Sequence, residues 1–309
     1  MSERTPSLAA DDLVLPFAVE GLAVRGRIVR LGASAARTLS VHEYPEPAAR
    51  VLGEALALVA VLGTALKLDA TLTLQTRSDG PVSSLVADFR APEFIRGLVN
   101  VDRARLDAEE GDLFGQGSLA FTIDPGGDLD RYQGIVELNG SSLIPAALGY
   151  FERSEQIPTL LRVAVGRSYV RGEGGNALTW RVGGIMLQRV PEEGGGGDLR
   201  PVTPDDWRRM EMLMATVSDE ELLDPMLAPE RLAYRLFHED GVRAFASHKV
   251  AFGCRCSRTR VENILKSYAR AELEEFVVNG VIRMDCEFCG THYDFTPAQL
   301  DEHAGSDTG

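Results

Sequence analysis

Apolar and polar residues alternate with the two-residue period of half-buried strands over Glu20–Leu31 and again over Ala36–His42. The period then lengthens. Pro47–Leu68 reads as a long helix, with Leu52, Ala55, Leu56, Val59 and Leu62 on one apolar face. Ala70–Thr76 and Val82–Phe89 are predicted strands, and the Asp-Gly step of Ser78-Asp79-Gly80-Pro81 between them suits a hairpin turn. Further strands are expected at Ser118–Ile123, Tyr132–Leu138, Arg162–Val170 and Gly184–Arg189, and a second helix at Ser142–Arg153. Strands outnumber helices and a regular βαβ alternation is absent. The expected class is therefore α+β with substantial antiparallel sheet.

Four consecutive glycines in Pro191-Glu-Glu-Gly-Gly-Gly-Gly-Asp198 mark a flexible boundary, since neither helix nor strand holds them cheaply. The predicted organisation is an α+β core domain over 1–192, a Gly-rich hinge with a metastable helical linker over 193–250, and a C-terminal module over 251–309 that ends in an acidic tail. Thr203-Pro204-Asp205-Asp206 is a strong helix start, with a Thr cap, Pro at the first helical position and acids in the first turn. Trp207, Met210, Leu213, Met214 and Val217 form its apolar face. Ser218-Asp-Glu-Glu221 has capping-box spacing for a second short helix that Pro225 interrupts, and Pro229 opens a third carrying Leu232, Leu236 and Phe237. Four of the seven methionines fall between Met210 and Met226, and such surfaces adapt to many partners. The competing reading is that they pack a small helical bundle.

Composition narrows the function classes. At 309 residues and 44% hydrophobic content, the chain can bury one large core or two moderate ones with a small module besides. A net charge of −14 argues against nucleic acid and anionic membranes as partners. Met1–Asp12 lacks the apolar stretch of an export signal, and the longest apolar run, Ala55–Leu66, is too short to span a bilayer. The expected location is cytoplasmic, where clustered thiols serve as metal ligands or redox sensors more often than as structural disulfides.

All four cysteines lie in the last 56 positions, as Cys254-Arg-Cys256 and Cys286-Glu-Phe-Cys289. Two tight thiol pairs separated by a helix-sized spacer have the layout of a four-thiolate Zn²⁺ site, with one ion expected per chain. The C-x-C pair can also close on itself as a small disulfide ring, so the site is a candidate redox switch. A permanent structural zinc site is the competing reading. His292 stands three residues after Cys289, but four sulfurs already fill the shell. Arg255, Arg258 and Arg260 are placed to offset the surplus thiolate charge. Between the pairs, Val261, Ile264, Leu265 and Tyr268 recur at helical spacing; Asn279-Gly280 then turns the chain into a strand at Val281–Met284, with Tyr293–Phe295 returning. So few apolar residues imply folding coupled to metal.

Upstream, Gly126-Gly127 and Gly183-Gly184 lack the flanks of a phosphate loop, and His238-Glu239 lacks the second His of a zinc protease. The chain is not expected to be an enzyme.

Tyr150-Phe151 with Ser154-Glu155-Gln156-Ile157-Pro158, Arg235-Leu236-Phe237-His238-Glu239, Cys254-Arg-Cys256-Ser257-Arg258 and Cys286-Glu287-Phe288-Cys289-Gly290 occur in this order. Together they resemble the redox-regulated heat-shock protein 33 family, from about Leu13 to Phe295. The four-glycine insertion and the acidic tail depart from the family pattern without touching the cysteines. The resemblance implies a bacterial cytosolic holdase that uses no ATP and binds unfolding client proteins. It implies an inactive reduced state with zinc on Cys254, Cys256, Cys286 and Cys289. Oxidation would then expel zinc, form Cys254–Cys256 and Cys286–Cys289 disulfides, unfold the linker and favour homodimers. The alternative is a constitutive zinc-knuckle interaction or ribosome-associated module without redox switching. A thiol oxidoreductase would instead present C-x-x-C at a helix start in a thioredoxin-like fold.

Overall fold

The computed structural model describes residues 11–66, 69–108, 112–127, 129–172, 175–190 and 200–301. The glycine-rich boundary at 191–198 lies outside the described residues, as does the tail beyond 301. The chain forms two compact units, Met1–Phe252 and Gly253–Gly309.

The first unit is built on two six-stranded sheets. Strands β1 (Leu13–Val19), β2 (Val24–Leu31), β8 (Thr159–Gly172), β9 (Gly175–Arg189), β10 (Val242–Ala244) and β11 (His248–Lys249) form one, ordered β10-β1-β2-β9-β8 with β11 also on β1. Strands β3 (Thr71–Ser78), β4 (Val82–Arg90), β5 (Phe94–Val101), β6 (Gly117–Asp124), β7 (Tyr132–Leu138) and β12 (Ala251–Phe252) form the other, ordered β12-β5-β4-β3-β6-β7. Pairing is antiparallel except for β12 on β5. The expected α+β class with antiparallel sheet is the observed one.

Helix α2 (Glu46–Gly63) runs between the sheets and touches β2, β8 and β9 of one and β3, β4 and β5 of the other. Its sequence predicts one apolar face, yet nearly every residue from Ala48 to Val61 is buried. Alanines on its remaining faces let both sheets approach, so the helix is enclosed on nearly all sides beyond its first turn. The exceptions are Arg50, which is exposed, and Glu54, whose carboxylate accepts from the Leu143 amide at 2.8 Å and from the Ser142 hydroxyl at the start of α4 (Ile144–Arg153). Burial raises this carboxyl from 4.5 to about 7, against the lowering effect of those two hydrogen bonds.

Two expectations need correction. Ala36–His42 is not a strand: Ala33–Leu39 forms helix α1. Alanine counts as apolar in either period, and the deciding contact is remote. The Asp12 carboxylate accepts from the Gly32, Ala33 and Ser34 amides and caps the helix from twenty residues upstream. The strand predicted from Glu20 begins instead at Val24, because Gly21 at φ +73° turns the chain between β1 and β2. Strands β1 and β5 and the short helix α3 (Arg103–Ala108) carry no clear period and were not anticipated.

Helices α5 (Pro204–Ala215), α6 (Asp219–Leu223) and α7 (Pro229–Phe237) start where their caps predict. Both Thr203 with Asp206 and Ser218 with Glu221 form reciprocal capping boxes. They cover the face of the first sheet opposite α2. There Met210, Met214, Leu222, Leu232, Leu236 and Phe237 join Leu15, Phe17, Ile28, Ile185 and Leu187 in a second core. Phe17 stacks on Phe237 with ring centroids 5.8 Å apart. Met212 and Met226 are exposed.

The second unit holds α8 (Arg258–Leu265), α9 (Arg270–Glu275), a sheet of β13 (Val277–Val278), β14 (Val281–Asp285) and β15 (His292–Phe295), and α10 (Pro297–Asp301). Asn279 and Gly280, at φ +53° and +79°, make the tight turn between β13 and β14. Its fully buried apolar residues among those described are Leu265, Ile282, Phe295 and Leu300.

Candidate metal centre

Each thiol pair is set by local chain geometry. Cys254 and Cys256 lie in the extended segment leading into α8, whose first turn is capped by Ser257 accepting from the Arg260 amide at 3.2 Å. Cys286 and Cys289 lie in a knuckle after β14. The Cys289 and Gly290 amides donate to the Cys286 carbonyl at 3.2 and 2.7 Å, and Gly290 at φ +69° turns the chain into β15. That return is the reason for a glycine after the second cysteine.

The tertiary structure brings the pairs together. One ligand atom from each of the four cysteines lies within 4.8 Å of all the others. The Cys254 and Cys286 sulfurs are 3.6 Å apart, and those of Cys256 and Cys289 3.3 Å. Sulfurs about 2.3 Å from a central Zn²⁺ form a tetrahedron with edges of roughly 3.8 Å, so the donor set fits a tetrahedral ion.

Burial raises the Cys256 and Cys286 thiols above the ordinary range. Burial also opposes ionisation of Cys289, but hydrogen bonding from the Thr291 hydroxyl and amide, Cys256 and Cys286 outweighs it and lowers that thiol. The Cys289 thiolate is thus the one that local hydrogen bonding favours, while burial disfavours ionisation of Cys256 and Cys286.

His292 is not in the cluster; its Nδ1 faces the Asp285 carboxylate. Arg258 lies over the Phe295 ring, 4.4 Å from its centroid, and donates to the Asp294 carbonyl, while Arg260 donates to the Arg255 carbonyl. Sequence reasoning missed two groups that do reach sulfur. The Tyr293 hydroxyl donates to Cys256 at 3.2 Å, and Thr291 Oγ1 lies 3.1 Å from Cys289 Sγ. Their positions two and four residues past Cys289 are the available signal, because a chain reversing at Gly290 must pass back beside the sulfurs.

The conspicuous residues at the end of α4 serve packing. The Tyr150 hydroxyl donates to Glu155, Tyr132 donates to the same carboxylate at 2.9 Å, and together they fix the exit of α4 towards β8. No described helix is long and apolar enough to cross a membrane.

An α+β fold with a small C-terminal module of four convergent thiols is thus the class of this protein. A family profile described as Hsp33 protein matches residues 12–296. The chain is 39% identical over 296 residues to the 33 kDa chaperonin of Caulobacter vibrioides, covering 93% of this chain and 95% of that protein. It is 34% identical to the 33 kDa chaperonin of Vibrio cholerae, with 95% of each covered. The crystal structure of the 33 kDa chaperonin (heat shock protein 33 homolog) from Thermotoga maritima superposes with a TM-score of 0.74 at 23% identity, covering 94% of this chain and 97% of that one. The chain belongs to the Hsp33 family.

Proposed function

We propose that this protein is a redox-regulated holdase of the cytoplasm that binds unfolding proteins without ATP, and that Cys254, Cys256, Cys286 and Cys289 hold one Zn²⁺ in its reduced, inactive form. The observation that carries the reading is the convergence of four thiols, from two chain segments, in a module with four fully buried apolar residues among those described. A core that small does not supply independent stability, so an ion tying the two segments together is part of the fold.

Oxidation by peroxide converts each thiol pair to a disulfide, the two electrons and two protons reducing one peroxide to two waters. The ligands are thereby withdrawn from the ion. In this reading the pairs are Cys254–Cys256 and Cys286–Cys289, and the 193–250 segment is the metastable linker that responds. Its helices are short, and their apolar residues are buried in one cluster with those of the sheet. Their release uncovers Leu15, Phe17, Ile28, Ile185 and Leu187, an apolar surface suited to unfolding chains and to a second copy of the protein.

The test is suppression of aggregation of a thermally unfolding protein by reduced and by peroxide-treated samples. Activity confined to the oxidised sample is expected. Equal activity in both would favour a constitutive zinc-knuckle interaction module.

A further inference from the structure

The face of the first sheet under α6 carries two fully buried arginines and two glycines, with the more exposed Arg162 on β8 donating to the Asp219 carboxylate at 3.1 Å beside them. Arg30 on β2 pairs with Gly183 on β9, and Arg181 on β9 pairs with Gly166 on β8. The arginines are 1% and 2% exposed. Arg30 donates to the main-chain carbonyls of Asp224 at 2.5 Å, Leu227 at 2.8 Å and Glu221 at 3.1 Å. Arg181 grips the Asp11 carboxylate through both Nη atoms at 2.6 Å, and this fixes its Nε on the Leu223 carbonyl at 2.9 Å. A Cβ at Gly183 would lie 2.0 Å from the Leu222 carbonyl oxygen, and one at Gly166 would lie 2.9 Å from a Leu223 methyl. Gly183 therefore lets a backbone lie directly on the sheet, and Gly166 leaves room for the Leu223 side chain beside it. All the contacts from the Arg30 and Arg181 guanidiniums to the segment end on main-chain carbonyls, and Leu222 is its one fully enclosed side chain.

We propose that Arg30 and Arg181, flanked by Gly183 and Gly166, form a receptor for main-chain carbonyl groups. The segment Asp219–Leu227 fills it in this state, and the backbone of an unfolding polypeptide takes its place once that segment leaves. The second half rests on the holdase reading given above. Carbonyls are common to every sequence. A folded protein pairs its own, whereas an unfolding one presents them unpaired beside apolar side chains. Charge-assisted hydrogen bonds from fixed, desolvated guanidiniums are strong ones. Such a seat selects for lack of structure and ignores sequence, which a holdase requires.

The experiment uses the reduced full-length chain. Gly183→Ala pushes on the Leu222 carbonyl while leaving both guanidiniums in place, and Arg30→Met or Arg181→Met is then added to it. Arg30→Lys serves as a second variant that keeps the charge. Melting by circular dichroism checks folding. The readouts are amide exchange over 219–227 and anisotropy of a labelled, end-blocked unfolded peptide containing leucine but no Asp or Glu. Gly183→Ala is expected to speed exchange at least tenfold and to bind the peptide without oxidant. Adding either Met substitution should leave exchange fast yet weaken peptide binding roughly tenfold, with Lys intermediate. Equal peptide affinity with and without the arginines would reduce them to a clasp and overturn the proposal. So would unchanged exchange in Gly183→Ala, or fast exchange with no peptide bound. Failure of peroxide to activate the unaltered protein would reject the redox reading alone, since this comparison uses no oxidant.

Discussion

The Tyr293 hydroxyl donates to the Cys256 sulfur across 3.2 Å, linking the strand after one knuckle to the thiol pair of the other. The sulfur in turn raises the phenol to about 12, so the hydroxyl stays protonated and remains a donor throughout the physiological range. Tyr293→Phe keeps the ring and removes the donor. Groups of this kind around a metal site are worth about 10–100-fold in metal affinity. A loss of tenfold or more is expected in competition with a chromophoric zinc chelator, and unchanged affinity would show that the hydroxyl is a passive neighbour.

One Zn²⁺ per chain is expected by elemental analysis of the reduced protein. The double variant Cys286→Ser/Cys289→Ser should bind none at full stoichiometry, and retained zinc would reject these ligands.

The cross-pair sulfur distances of 3.6 and 3.3 Å belong to a four-thiol cluster and do not dictate which disulfides form. Once the module opens, the shortest loops close most often, which favours Cys254–Cys256 and Cys286–Cys289. The smaller C-x-C ring should be the more strained and the more easily reduced. Peptide mapping after peroxide treatment decides the point, and predominant Cys254–Cys289 links would exclude this pairing.

Loss of the metal should loosen α5–α7. Hydrogen exchange over 203–239 is expected to accelerate on oxidation, with warming adding to the effect. Phe237→Ala, which removes the ring stacked on Phe17, should cost about 3–5 kcal/mol of docking and lower the peroxide dose needed for activation. Unchanged protection in that segment while activity appears would place the client surface elsewhere.

Glu54 gives a pH dependence of defined sign. Its carboxyl titrates at about 7 when folded against 4.5 as the reference value, so between these limits the folded chain keeps a proton that the unfolded chain has lost. The stabilisation is complete below about 4.5, shrinks as pH rises towards 7 and is gone above it. Glu54→Gln should raise the melting temperature at pH 8 and change it little at pH 5. The same shift at both values would show that no buried charge was relieved.

The helix caps at Thr203 and Ser218, the hairpin at Asp79-Gly80 and the paired cysteines were legible in the chain because each is a local event. A hydroxyl reaches an amide three residues on, a short Asp-Gly loop joins two neighbouring strands, and each thiol pair spans three or four residues of chain. The three-dimensional structure alone decided what depends on remote partners. The Asp12 carboxylate started a helix, Ala33–Leu39, where alternation over Ala36–His42 predicts a strand. The second sheet buried the faces of α2 that lie outside its predicted apolar stripe. Arg30 and Arg181, ordinary polar positions in a strand pattern, became buried because carbonyls nearly 200 residues away in sequence accept from the Nη atoms of one and Asp11 holds the other. Periodicity records which side of an element is apolar. Which groups then face each other across the interior is fixed by packing, where most buried donors find an acceptor.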